Sequence, residues 1–158
     1  MDGNLVIHKD SEKAWRIELQ NMIDDQVVFP EPLPQHMQSL SIDFGQVSYI
    51  SSAGLRLWIK WTQTLSNSQI HLELTRLGTS FIRACEMTAE VLPSKATIRN
   101  YYCDYFCPNC QAPKRVLMEN KAGAANNFKE TCDECGSEME LEIPADTYQN
   151  LESYTPPE

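Results

Sequence analysis

Two closely spaced pairs of cysteines constrain this 158-residue chain more than any other feature of its sequence. The first pair is Cys107 and Cys110, the second is Cys132 and Cys135, and 21 residues separate them. Each C-x-x-C pair places two sulfurs on one tight turn, so four thiolates in two such pairs suit a tetrahedral, closed metal site. The spacing therefore predicts that the surrounding residues fold about a bound metal ion.

Zinc is the predicted metal, and a rubredoxin-like iron centre is the alternative, because the spacing of four cysteines suits both ions. A dithiol redox site fits less well, since neither pair has a strand-to-helix context. Cys103, four residues before Cys107, either replaces a ligand or is a packed, free thiol. Cys85 lies within a predicted helix, where a small buried apolar residue is the expected role.

Short alternating segments accompany the cysteine pairs. Val116 and Met118 predict one strand between the pairs, and Met139, Leu141 and Ile143 alternate with glutamates after the second pair. Short strands around two such pairs resemble a zinc ribbon, and the resemblance covers residues 103 to 143. It implies a structural metal that folds a small unit with no open coordination position for chemistry.

The charge of the chain excludes several classes of partner. The formal net charge is -9, and residues 101–143 hold four Lys or Arg against eight Asp or Glu, so nucleic acid is not an expected ligand. Arg56 and Lys60 interrupt the most apolar stretch, which predicts no membrane insertion. The amino terminus lacks the basic start and apolar run of a secretory signal, so we expect a cytoplasmic protein with reduced thiols.

Composition divides the chain into three parts: a domain over 1–100, a metal-binding unit over 101–143, and a flexible acidic tail over 144–158. In the first part, apolar residues alternate with polar ones in three strand-like segments, and helices are predicted over 53–66 and 81–90. Gly78, Thr79 and Ser80 precede the second helix and are expected to cap it. The predicted fold class is α/β, a mixed sheet with helices on one face. The alternating residues are Trp15, Ile17, Leu19, Leu40, Ile42, Phe44, Ile70, Leu72 and Leu74.

The segment between Leu19 and Leu40 contains Pro30, Pro32 and Pro34, which exclude a helix interior. It is predicted to be an extended loop. The helix over 53–66 has an apolar arc wider than half its circumference, which includes Leu57 and Trp61. Two interpretations remain open: the helix packs between the sheet and a loop, or Leu57 and Trp61 form an exposed edge that docks a partner.

A strand that ends in Val47-Ser48-Tyr49-Ile50, followed by Ser51-Ser52-Ala53-Gly54-Leu55 at a helix start, resembles the STAS family of anti-sigma factor antagonists. The resemblance covers residues 4 to 100. It implies a STAS-like fold, with Ser52 as the phosphoacceptor and Ser51 within the partner surface. A phosphate at a helix start lies beside unpaired amides and the positive end of the helix dipole. The alternative is that Ser51 and Ser52 only cap the helix.

No catalytic motif accompanies these features, because the three histidines lack a companion at motif spacing and no phosphate-binding glycine loop occurs. We therefore expect a non-enzymatic signalling module that binds a kinase-type anti-sigma factor or a related regulatory complex, with Ser52 phosphorylation as the switch. The ribbon is expected to extend the interface or to set the oligomeric state, a homo-oligomer included. The alternative is a structural scaffold subunit that uses the same surface and the ribbon without phosphorylation.

Overall fold

A computed structural model describes residues 4–120 and 127–152 of the chain. A single turn of 3-10 helix, Ala89–Val91, lies between the second helix and the fifth strand. The strands and α-helices follow one another as β1 (Leu5–Lys9), β2 (Ala14–Ile23), β3 (Ser39–Ile50), α1 (Ser52–Leu65), β4 (His71–Thr75), α2 (Thr79–Met87), β5 (Ala96–Ile98), β6 (Asn100–Phe106), β7 (Pro113–Glu119), β8 (Glu140–Leu141) and α3 (Ala145–Glu152).

The first five strands form one mixed sheet in the order β1-β2-β3-β4-β5. β1 is antiparallel to β2, and the strands β2, β3, β4 and β5 are parallel to one another. The strand register places Ile17, Ile42, Leu74 and Ile98 in one row across the sheet, and all four side chains are buried. Alternate residues of β2, β3 and β4 thus give the centre of the sheet one buried apolar face, whereas Val6 and Ile7 on the edge strand β1 are exposed. The predicted α/β fold class is confirmed.

Both long helices cover the apolar face. The ring of Phe44 on β3 contacts Trp58 of α1 at 5.4 Å and Phe81 of α2 at 4.6 Å between centroids. Since one side chain contacts both helices, α1 and α2 lie on the same side of the sheet. Each helix directly follows a parallel strand, so both helices begin at the edge of the sheet where β3 and β4 end.

A loop rather than a helix connects the parallel strands β2 and β3. This loop runs over α1, where Phe29 stacks on Trp61 with the ring centroids 4.7 Å apart. The three prolines lie in this segment, and the predicted extended loop is confirmed.

The cysteine-rich residues form a second, antiparallel sheet in the order β7-β6-β8. Its central strand β6 adjoins the first sheet, because Leu77 forms a parallel bridge with Tyr101 and the amide of Tyr102 donates to the Leu77 carbonyl at 2.8 Å. The side chains of Tyr101, Cys103 and Tyr105 point inward and are fully buried. The predicted boundary at residue 100 therefore falls between two strands that share one hydrophobic core.

The prediction of a flexible tail over 144–158 is wrong for residues 145–152. Ala145–Glu152 form the helix α3. The ring of Tyr148 on this helix stacks between the rings of Tyr101 and Phe128, with centroid distances of 5.4 Å and 5.6 Å. Tyr148 and Leu151 lie three residues apart on one helical face, and both are buried. The apolar surface that orders α3 is supplied by other parts of the chain. Residues 153–158 of the predicted tail lie outside the described residues.

Candidate functional site

The four cysteines of the two pairs come together at one end of the second sheet. All four sulfur atoms lie within 4.8 Å of one another, and the Cys107–Cys135 and Cys110–Cys132 sulfurs are each 3.5 Å apart. Tetrahedral zinc with zinc–sulfur bonds of about 2.3 Å separates its ligand sulfurs by about 3.8 Å. The cluster therefore has the dimensions of a tetrahedral metal site, as the spacing predicts.

The two cysteine turns have the same backbone geometry. The amide of Gln111 donates to the Cys107 carbonyl at 2.9 Å, and the amide of Gly136 donates to the Cys132 carbonyl at 2.9 Å. Gln111 and Gly136 occupy equivalent positions, one residue after each pair, and both have a left-handed backbone with φ of 70° and 75°. Glycine tolerates this conformation, whereas glutamine adopts it at a cost.

Hydrogen bonds from Asn109 and Ser137 favour the thiolate form of Cys135, the form that binds metals. The side-chain amide of Asn109 donates to the sulfur of Cys135 at 3.5 Å. Together with hydrogen bonds from Ser137, this contact lowers the pKa of the Cys135 thiol to about 5. Spacing identifies the four ligands, but it does not reveal the supporting roles of Asn109 and Ser137.

An ion-pair network joins the two arms that carry the cysteine turns. The ammonium group of Lys114 lies 2.9 Å from the Glu130 carboxylate and 3.4 Å from the Asp133 carboxylate. Lys114 is on β7, which follows the first cysteine pair, whereas Glu130 precedes the second pair and Asp133 lies within it. The donor set of four sulfurs fits zinc or iron and leaves no ligand position open for a reacting molecule.

The other two cysteines lie outside the cluster. Cys103 is fully buried on β6, and burial raises the pKa of its thiol to about 12. Burial also raises the pKa of the Cys85 thiol to about 12. Both are therefore packed, protonated thiols at neutral pH, and Cys103 does not replace a ligand.

The paired serines at the start of α1 have different environments. The hydroxyl of Ser51 accepts a hydrogen bond from the amide of Gly54 at 3.1 Å and caps the helix. Ser52 is the first helical residue, and its side chain is exposed. Arg56 is also exposed and follows Ser52 by one helical turn.

Gly54 permits the close approach of α1 to the end of β2. A Cβ atom at this position would lie 2.1 Å from the Ile23 carbonyl oxygen, a distance that no side chain tolerates. The Ser51 amide donates to the same carbonyl at 2.9 Å. The glycine of the motif is therefore a packing requirement that fixes the position of Ser52 relative to the sheet.

The predicted exposed edge of Leu57 and Trp61 is wrong for Trp61. The loop after β2 covers this side chain, which is 4% exposed. Its indole N–H donates to the Pro30 carbonyl at 2.9 Å, and Phe29 stacks on its ring. Leu57 is half-buried. The wide apolar arc thus reflects a helix packed between the sheet and a loop.

A polar cluster that sequence patterns do not reveal lies where α2 meets the second sheet. The carboxylate of Asp104 on β6 accepts hydrogen bonds from Arg115 at 2.7 and 3.1 Å and from the hydroxyl of Thr79. Burial opposes ionisation of Asp104, but these hydrogen bonds outweigh it and hold the pKa below the ordinary value. Gly78 occupies the N-cap position of α2 and has no side chain to offer.

Among the helices of residues 4–120 and 127–152, none combines the length and apolar character needed to cross a bilayer. No protein-family model and no curated protein matches the chain.

Proposed function

We propose that this protein is a non-enzymatic regulatory module of the STAS type, whose binding to a protein partner is switched by phosphorylation of Ser52. The observation that carries the proposal is the exposed hydroxyl of Ser52 at the first position of α1, two residues after the end of β3. The required glycine two residues later completes the resemblance to the family motif.

The local chemistry supports a phosphate at this position. A phosphoserine adds about -1.5 to -2 charge units beside the unpaired amides at the positive end of the helix dipole. Arg56 lies one turn further along the exposed side of α1, where a guanidinium pairs with a phosphate. The modification is therefore compatible with the folded helix and changes the charge of its exposed surface.

An apolar patch beside Ser52 supports a partner surface at this edge. Met22 and Tyr49 are neighbours on β2 and β3, and they are 45% and 54% exposed. Tyr49 precedes Ser52 by three residues, so a phosphate on Ser52 would place charge next to the patch. We propose a kinase-type anti-sigma factor or a related regulatory complex as the partner.

The metal completes the proposal. We propose that Cys107, Cys110, Cys132 and Cys135 hold a structural zinc ion, with iron as the alternative, in a ribbon that extends the interface or sets the oligomeric state. Four thiolates leave no site for metal catalysis, which agrees with a binding role. Because thiols remain reduced in the cytoplasm, we propose that the protein is cytoplasmic.

The switch is tested by capture of partners from a lysate of the native cell with four forms of the protein. We expect wild type and Ser52→Ala to retain the partner and Ser52→Asp to lose it. Gln63→Asp adds the same charge at an exposed position of α1 far from Ser52, and it should bind like wild type. Mass spectrometry of the native protein should detect phosphate on Ser52.

A structural scaffold is the second candidate, and the exposed Met22 and Tyr49 favour it equally, because an apolar patch binds a partner with or without a phosphate. Equal capture by Ser52→Ala and Ser52→Asp would refute the switch and favour the scaffold. Loss of capture in Met22→Ser alone would then assign the patch to that role.

A further inference from the structure

The helix α2 depends on residues from the cysteine-rich part of the chain at both of its ends. Its N-cap residue, Gly78, lacks a side chain that could accept from the first amides. Strand β6 contacts this end through side chains, because the carboxylate of Asp104 accepts a hydrogen bond from the hydroxyl of Thr79, the first residue of α2. An anionic group at this end also complements the positive pole of the helix dipole.

Asp104 is held in place by the neighbouring strand β7. Two nitrogens of the Arg115 guanidinium donate to the two carboxylate oxygens at 2.7 and 3.1 Å, which is a bidentate pair. The Arg115 guanidinium also lies 4.7 Å from the centre of the Tyr102 ring. The group at the start of α2 is therefore oriented by the second sheet and not by α2 itself.

The other end of α2 forms a hydrogen bond with α3. The hydroxyl of Thr147 donates to the carboxylate of Glu86, in the last turn of α2. Tyr148 follows Thr147, and its ring stacks on Tyr101 of β6. One end of α2 thus contacts β6 directly through Asp104, and the other end contacts α3, which itself packs on β6.

The same strand leads into the candidate metal site. Cys107 follows Asp104 by three residues, directly after the end of β6. Cysteine ligands hold a metal ion only in the folded arrangement, so the free energy of metal binding stabilises the strands that position them. Metal occupancy would therefore favour the arrangement in which β6 and β7 present Asp104 and Arg115 to α2.

The helix α1 has no such dependence in its capping. Its cap is its own neighbour Ser51, and the indole of Trp58 donates to the Val91 carbonyl at 2.9 Å. Two of its aromatic contacts, Phe29 and Phe44, come from the loop after β2 and from β3, and the third, Phe81, belongs to α2 itself. Loss of the metal should consequently affect the two helices unequally.

We infer that the four-cysteine site is a metal-sensitive switch for α2: metal binding orders β6 and β7, and Asp104 and α3 then hold the helix against the sheet. The helices α1 and α2 begin at the same edge of the sheet, so the switch would reshape the flank of the surface that contains Ser52. Only this functional consequence rests on the proposed function; the coupling between the metal site and α2 does not.

Hydrogen exchange of the full chain, followed by mass spectrometry, tests the coupling. The zinc-loaded protein is compared with the same protein after chelation and after zinc is added back. We expect exchange in residues 79–87 to accelerate roughly five-fold or more on chelation, because side-chain hydrogen bonds that anchor the helix are lost, and to recover with zinc. Exchange in residues 52–65 should change less than about two-fold.

Two variants separate the switch from general unfolding. Asp104→Ala and Thr79→Val each remove one side of the same hydrogen bond, so both should accelerate exchange in α2 while zinc stays bound. Glu138→Ala removes an exposed acid of the same unit and should leave α2 unchanged. Unchanged exchange of α2 on chelation would overturn the inference, and so would equal loss of protection in α1 and α2. Neither result depends on Ser52.

Discussion

The hydroxyl of Ser51 accepts a hydrogen bond from the amide of Gly54 at 3.1 Å, whereas the hydroxyl of the adjacent Ser52 is exposed. The two serines should therefore differ in their effect on stability. Ser51→Ala removes a helix cap and should lower the free energy of unfolding by about 1 kcal/mol. Ser52→Ala should change it by less than about 0.5 kcal/mol. Urea unfolding of both variants measures the difference, and a larger loss for Ser52→Ala would contradict the assignment.

Gly54 should tolerate no side chain. Gly54→Ala forces a Cβ against the Ile23 carbonyl oxygen, so α1 must shift and the free energy of unfolding should fall by more than about 2 kcal/mol. Gly78 is the matched control, because a Cβ there meets nothing within 4 Å. Gly78→Ala should cost less than about 1 kcal/mol, as for a weaker N-cap residue. Similar losses for both variants in urea unfolding would show that close packing is not the cause.

The two cysteine turns offer a reciprocal pair of substitutions. Gln111→Gly relieves a left-handed glutamine and should raise the free energy of unfolding by about 0.5 to 1 kcal/mol. Gly136→Ala places a side chain on the equivalent left-handed backbone and should lower it by about 1 kcal/mol. Thermal unfolding of the zinc-loaded proteins checks both signs, and a destabilised Gln111→Gly would count against the shared geometry.

Metal content should follow membership of the four-sulfur cluster. Elemental analysis of wild type and Cys85→Ser should find about one zinc ion per chain, because Cys85 lies outside the cluster. Cys135→Ser removes a ligand and should lose most of the metal. A colourless wild-type sample would exclude iron. Full zinc retention by Cys135→Ser would contradict the assigned ligand set.

The contribution of Asp104 should depend on pH in one direction. Because hydrogen bonds hold its folded-state pKa below the ordinary value of about 3.9, its ionised form stabilises the folded state above that pH. The stabilisation is lost as the pH falls through the lower folded-state pKa. The difference in unfolding free energy between wild type and Asp104→Asn should be constant from about pH 7 to 5 and should shrink below about pH 4. A difference that changes between pH 7 and 5 would assign the effect to another group.

Local patterns were sufficient to predict the sheet and the four-cysteine cluster. Residues such as Ile17 and Ile42 alternate with polar neighbours because one face of each strand is buried, and this period is visible in the sequence itself. The cysteine pairs are equally local, since each pair is defined by a single turn. Features that depend on residues close together in the sequence can therefore be predicted from the sequence.

Contacts between residues that are far apart in the sequence account for the structural features that local patterns do not predict. Thr79 and Asp104 are 25 residues apart, and no local pattern links a helix start to an acid on a later strand. The order of α3 likewise depends on Tyr101 and Phe128, which a composition argument about residues 144–158 does not include. The wide apolar arc of α1 left two interpretations of Trp61 open, because the arc alone does not specify that Phe29 and the loop after β2 cover it.

The bridge between Leu77 and Tyr101 has an evolutionary consequence. Because a strand of the cysteine-rich half continues the hydrogen-bonding pattern of the other half, the ribbon is not an exchangeable cassette appended to an autonomous fold. A lineage that lost β6 would expose core side chains of the other half, such as Leu77, so a change inherited in one half has a consequence for the other.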